Sequence, residues 1–115
     1  MGTPVVSQPG IGESRQVSER AFRQQVIDLC HYTGWRYYFT WTSMHSPAGF
    51  PDLILVRGVE LIAAELKSER GRLSPAQQSW IDALQHAGVE CHVWRTSALD
   101  VVIARLSTDV DKRML

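Results

Sequence analysis

Gly49-Phe50-Pro51-Asp52-Leu53-Ile54-Leu55-Val56-Arg57-Gly58-Val59-Glu60-Leu61-Ile62-Ala63-Ala64-Glu65-Leu66-Lys67 is the stretch from which the rest of the chain can be placed. Leu53 to Val56 is a short apolar run, Leu61 to Leu66 is nearly another, and Arg57-Gly58 punctuates them. That is the pattern of a β-hairpin whose arms are buried on both faces. Asp52, Glu65 and Lys67 stand at the end far from the turn, where burial makes charge costly. A two-residue loop at Arg57-Gly58 sets Val56 opposite Val59 and Asp52 opposite Ala63, with Glu65 as the diagonal neighbour of Asp52. Alternation with period two then puts Asp52, Ala63, Glu65 and Lys67 on one face, the two acids about 7 Å apart between Cβ atoms.

Two acids at that separation, with a lysine two residues beyond the second, suit a hard divalent cation such as Mg²⁺, which prefers oxygen ligands and keeps several waters. Such an ion activates water and offsets charge gathering on a phosphodiester. Asp52 and Glu65 are the candidate ligands, and the backbone carbonyl of Leu66 offers a further oxygen. Lys67 is placed to position the attacking water or to stabilise the transition state. A structural ion pair at a sheet edge satisfies the same spacing.

The whole chain sets the frame for that hairpin. With 115 residues, 44% hydrophobic content and 21% charge, it has the material for one domain around one core. No apolar run reaches the length of a membrane span, and the N-terminus lacks a basic start followed by an apolar segment, so a cytoplasmic protein with no membrane partner is expected. Cys30 and Cys91 fall in apolar segments and make no disulfide framework. The pairs Cys30-His31 and Cys91-His92 match no zinc spacing, because adjacent side chains diverge on either a helix or a strand. A formal net charge of zero removes bulk electrostatics as a signal of nucleic-acid binding. Contact with phosphate must then come from a local group such as Lys67, Arg70 and Arg72, a cluster that a solvated loop explains equally well.

Outward from the hairpin, the segment 1–17 carries Pro4, Pro9, Gly10 and Gly12 without periodicity and reads as a flexible arm. Ser18 caps a first helix whose buried stripe is Phe22, Val26, Leu29 and Cys30, and Gly34 ends it. Glu19 extends that stripe, either toward the sheet edge or as a first-turn acid favouring the helix dipole. Trp35 to Trp41 reads as a strand. The loop 42–50 follows, in which His45 is a surface residue, a phosphate contact or a proton carrier. Beyond Lys67, Ser74-Pro75-Ala76-Gln77 has the form of a capping box, which accounts for Gln77 structurally. Ala76, Trp80, Ala83, Leu84 and Ala87 form the apolar face of that second helix, and Gly88 stops it. Val89 to Trp94 is a last strand, and Ser97 caps a final helix carrying Leu99, Val102, Ile103 and Leu106. The tail 108–115 is frayed. Helix, strand, hairpin, helix, strand, helix is a mixed α/β domain over 18–107.

Pro51-Asp52, twelve intervening residues, then Glu65-Leu66-Lys67 resembles the PD-(D/E)XK nuclease signature. More narrowly, Gly49-Phe50-Pro51-Asp52-Leu53, Glu65-Leu66-Lys67-Ser68, Gly71-Arg72-Leu73-Ser74-Pro75-Ala76-Gln77 and Gly88 resemble the VRR-NUC family, the virus-type replication-repair nucleases. The resemblance implies a restriction-endonuclease-like αβββαβ core and a Mg²⁺-dependent endodeoxyribonuclease, with Mn²⁺ able to substitute. It implies metal on Asp52 and Glu65, Lys67 as the catalytic lysine, Glu19 as the first-helix acid completing the metal shell, and Gln77 as the glutamine after the core motif. Stand-alone members resemble Holliday-junction resolvases, which implies a homodimer acting on branched DNA and encoded by a phage or bacterium, working in the cytoplasm or at a host nucleoid. Flaps, nicks and duplex ends are the alternative substrates, and a non-catalytic DNA-binding module is the alternative function. Arg20, Arg23, Arg70, Arg72 and His45 are the expected DNA contacts, with affinity falling as salt rises.

Overall fold

The computed structural model describes residues 17–40 and 47–108. In chain order the elements are α1 (Glu19–Thr33), β1 (Arg36–Phe39), β2 (Leu53–Arg57), β3 (Glu60–Lys67), α2 (Pro75–His86), β4 (Glu90–Arg95) and α3 (Leu99–Ser107). The expected flexible arm except Val17, the residue His45 and the tail beyond Thr108 lie outside the described residues.

Local signals set the helix ends. The Ser18 side chain accepts a hydrogen bond from the Ala21 N–H, and Gly34 at φ 84° closes α1 in the left-handed conformation. Phe22, Val26 and Cys30 are fully buried along α1. At α2 both halves of the capping box form, Ser74 accepting from the Gln77 N–H and Gln77 accepting from the Ser74 N–H.

The sheet order is β1-β2-β3-β4, antiparallel except for the parallel β3–β4 pair, which needs the crossover that α2 supplies. One sheet face packs Leu53, Leu55, Ile62, Ala64, Leu66 and Trp94 against α1 and α3. The other packs Ala63 and Cys91, with Ile54 and Val93 beside them, against Ile81 and Leu84 of α2. Odd-numbered residues of β3, Glu65 and Lys67 among them, therefore belong to the α2 face.

Four expectations are corrected. The hairpin turn is Gly58-Val59, since Arg57 pairs with Glu60 and Leu53 with Ala64. Gly58 takes φ 61°, which it adopts at little cost as the first loop residue. Arg57 is held in the strand because its guanidinium donates to the carbonyls of Thr33, Leu106 and Thr108 and to Glu60, tying the hairpin to α1 and α3. The shift keeps parity but moves Asp52 from a position opposite Ala63 to one opposite Glu65. Second, α2 buries Ile81, while Ala83 and Ala87 are exposed, so its apolar face is rotated from the alanine-rich one. Third, Ser97 does not cap α3: a 3-10 turn at Thr96–Ala98 precedes the helix, and the Ser97 N–H donates to Glu69 Oε1 at 3.1 Å. Fourth, the first strand is shorter than Trp35 to Trp41, because Trp35 turns into the core and its indole N–H donates to the Leu106 carbonyl at 3.0 Å.

Candidate active site

The ends of β2 and β3 carry the acids together. Continuing the observed pairing by one step sets Asp52 directly across from Glu65 rather than diagonally. That step is a non-hydrogen-bonded position, where Cβ atoms approach to about 4.5–5.5 Å. The strand alternation leaves the Leu66 N–H facing the β2 side just where β2 ends, and it donates to Asp52 Oδ2 at 2.8 Å. The Leu66 carbonyl lies on the same edge, since N–H and C=O of one strand residue point the same way.

Glu65 is only 2% exposed. Its Oε2 accepts from Gln77 Nε2 at 3.0 Å, while its Oε1 is buried with no hydrogen-bond partner among the described residues. Gln77 thus spends its oxygen on the helix cap and its amide N–H on the acid, so the structural and site readings of this residue hold together. Burial above all, then the negative charge of Asp52, pushes the Glu65 carboxyl up from 4.5 to about 8. Lys67 pulls the other way, a hydrogen bond with Asp52 adds to the rise, and the charge of Glu19 adds a smaller push.

The loop before Asp52 is seated on the first turn of α2. Gly49 has φ 99°, and a Cβ there would lie 2.5 Å from the Ala76 carbonyl carbon and 2.8 Å from the Gln77 nitrogen. Only glycine permits that approach, which fixes the Asp52 loop against the helix carrying Gln77. Thr40 secures the same loop from β1, its hydroxyl donating to the Pro51 carbonyl at 2.9 Å.

Glu19 comes to this end of the sheet from the other face, where its Oε1 accepts from the Ser68 N–H at 3.3 Å. Its carboxylate is taken up by that N–H, and among the described residues no group of three or more His, Cys, Asp and Glu is gathered at metal-holding distance. The residues that are assembled fit a divalent cation nonetheless. A buried unpartnered carboxylate oxygen, a second carboxylate opposite it and a strand carbonyl on the same edge form a hard-oxygen donor set, and two carboxylates suffice for Mg²⁺.

The basic candidates divide. Arg70 and Arg72 are exposed on the loop after β3, and Arg20 is exposed in the first turn of α1. Arg23 is partly buried with its guanidinium 4.3 Å from the centroid of the Phe39 ring, a stacking role that the sequence did not suggest. No sequence motif marks Arg95. It sits opposite Lys67 in the β3–β4 register, and its guanidinium donates to carbonyls of the loop between β3 and α2.

The VRR-NUC domain model matches residues 7–98 of the chain. The chain belongs to the VRR-NUC family. Solved structures agree on the fold. A VRR-NUC domain protein is 22% identical with a TM-score of 0.62, the match covering 84% of this chain and 91% of that one. A second VRR-NUC domain gives 21% identity and a TM-score of 0.62 over 75% of this chain and 94% of its own. The Holliday junction resolvase Hjc of Archaeoglobus fulgidus gives 19% identity and a TM-score of 0.51 over 64% of each chain. No curated protein matches significantly. The mixed four-stranded sheet with flanking helices, the core that the family resemblance implies, is therefore the fold of this VRR-NUC domain.

Proposed function

We propose that this VRR-NUC domain is a Mg²⁺- or Mn²⁺-dependent DNA endonuclease that acts on branched DNA such as Holliday junctions, as a homodimer. The observation that carries the metal-dependent reading is the Asp52–Glu65 pair, with Glu65 buried and its Oε1 lacking a hydrogen-bond partner among the described residues: a cation would offset the charge of two facing carboxylates, which in its absence a proton on Glu65 relieves. When bound, a divalent cation supplies charge neutralisation at the phosphate and an acidified water. Asp52 and Glu65 would hold it, with the Leu66 carbonyl as the third oxygen. Gln77 fixes the Glu65 carboxylate by donating to Oε2, and the Leu66 N–H does the same for Asp52.

Lys67, two residues beyond Glu65 on the same face, is the side chain that holds the attacking water and offsets charge on the phosphate oxygens. Glu19 would act through the Ser68 N–H and through its charge on Glu65. Arg20, in the first turn of α1, and Arg70 and Arg72, on the loop after β3, are exposed and would supply local cationic contacts to backbone phosphates. The likeness to an archaeal Holliday junction resolvase supports a branched substrate. Two cuts on a four-way junction require two such sites, which gives dimerisation a mechanistic purpose.

Cleavage of end-labelled four-way junction, flap, nicked duplex and linear duplex with Mg²⁺ tests the proposal. Faster cutting of the junction than of linear duplex is expected. Equal rates on all four would remove the branched-DNA specificity, and junction that is bound but uncut would leave a DNA-binding module.

A further inference from the structure

The loop between β3 and α2 is shaped by Arg95, on the neighbouring strand. Nη1 of Arg95 donates to the carbonyls of Ser68 at 2.9 Å, Gly71 at 2.6 Å and, more weakly, Glu69 at 3.4 Å. Glu69 answers from the loop side, accepting the Ser97 N–H at 3.1 Å. Gly71 closes the curve, its N–H donating to the Ser68 carbonyl at 3.3 Å. The curled loop lies against the stem of Lys67, since a Cβ on Gly71 would stand 3.4 Å from Lys67 Cδ. One guanidinium thus gathers the carbonyls of a loop that both flanks the lysine and carries the exposed Arg70 and Arg72.

A cation beside Lys67 in the register would ordinarily repel it. Here its Nη1 is turned onto carbonyl oxygens, whose dipoles offset part of the positive charge. Asp52 and Glu65 have no contact with this loop through Arg95, their own supports being the Leu66 N–H and Gln77. Arg95 therefore holds the loop beside the lysine, a loop whose Ser68 N–H is also held by Glu19, and donates to neither acid.

Resting on the nuclease reading above, we propose that Arg95 is a positioning residue for Lys67: it clamps the Ser68–Gly71 loop against the lysine stem, and through that loop fixes where Lys67 meets the scissile phosphate. Removing the clamp lowers turnover and leaves metal binding in place.

The test compares wild type, Arg95→Met, Arg95→Lys, Lys67→Ala and the double variant Lys67→Ala/Arg95→Met. Arg95→Met keeps the stem and removes the donors, whereas Arg95→Lys keeps a cationic donor. Single-turnover cleavage by Arg95→Met should fall at least about tenfold, the scale of a misplaced catalytic group. Its Mn²⁺ affinity by calorimetry should stay within about twofold of wild type, and Arg95→Lys should recover part of the rate. In the Lys67→Ala background, Arg95→Met should cost nothing further, because the residue through which it acts is gone. Tryptic scission after Arg70 and Arg72 should speed up in Arg95→Met as the loop is released.

Wild-type cleavage with an unchanged Arg95→Met rate would overturn the proposal while leaving the nuclease reading intact. So would losses that multiply in the double variant or a parallel loss of metal affinity. Should wild type cut none of the DNA substrates with Mn²⁺, the nuclease reading would fall by itself. Equal tryptic rates in wild type and Arg95→Met would then remove the clamp as well.

Discussion

Replacing Glu65 by glutamine should stabilise the metal-free protein at alkaline pH, the reverse of what a substitution at a buried position usually does. In the metal-free fold the Glu65 carboxyl is pushed up from 4.5 to about 8, mainly by burial and next by Asp52. Between those two values the folded chain holds a proton that the unfolded chain releases. The stabilisation is therefore complete below the unfolded value and is lost as pH rises through the folded one. Each pH unit in that window is worth about 1.4 kcal/mol, so the full loss is on the order of 5 kcal/mol, with relaxation around the charged form reducing it to roughly 2–4 kcal/mol. For a domain of this size, that is a fall of about 10 °C in Tm between pH 5 and pH 8.5. Glutamine carries no proton to lose and keeps an oxygen for the Gln77 amide, so Glu65→Gln should lack this part of the fall in Tm and exceed wild type at pH 8.5. Groups that titrate elsewhere cancel in the difference between the two proteins. Mg²⁺ should restore wild type at pH 8.5 and leave Glu65→Gln unmoved. Thermal unfolding in chelator from pH 5 to 8.5 reads this directly, and parallel curves for the two proteins would refute the reasoning.

Other expectations concern the supports of the site. Gly49→Ala should cost about 2–3 kcal/mol in urea unfolding, since the left-handed backbone and the approach to the Ala76–Gln77 peptide both resist a Cβ. Ser74→Ala should lose about 1 kcal/mol of helix capping with metal affinity unchanged. Gln77→Ala should lose a similar amount and also weaken Mn²⁺ binding several-fold, because Gln77 alone of the two touches Glu65; equal metal affinities would separate Gln77 from the site. Lys67→Ala should keep the fold and the metal while cleavage drops about 10²–10³-fold, the usual scale for losing a positioned catalytic donor. A Lys67→Ala rate within threefold of wild type would show that the lysine is misassigned.

Much of this was legible in the chain because the signals were local. Ser18 and Gly34 bound the first helix, and the Ser74 to Gln77 box opens the second, through contacts three or four residues apart that sequence spacing fixes. The hairpin gave the shared face of Asp52, Glu65 and Lys67 by parity alone, and parity survived the shift of the turn from Arg57-Gly58 to Gly58-Val59. The turn itself was not legible, because what keeps Arg57 in the strand is its bonding to Thr33, Leu106 and Thr108, from 24 to 51 residues away. Arg95 was hidden for the same reason: its acceptors are carbonyls of a loop far back in the chain, and a carbonyl leaves no mark in a sequence. Ile81 escaped notice because the alanines of α2 have the right period for a buried stripe, whereas burial went to the larger side chain.

As proposed above, Asp52 and Glu65 form a divalent-metal site that cleaves DNA. The most direct measurement of this is single-turnover cleavage of a labelled four-way junction by wild type and Asp52→Ala, with Mg²⁺ and again with chelator. Cutting by wild type that requires Mg²⁺, and its loss in a folded Asp52→Ala protein that no longer binds Mn²⁺, is the expected result. Cleavage by Asp52→Ala at the wild-type rate, or wild-type cleavage undiminished by chelator, would contradict it.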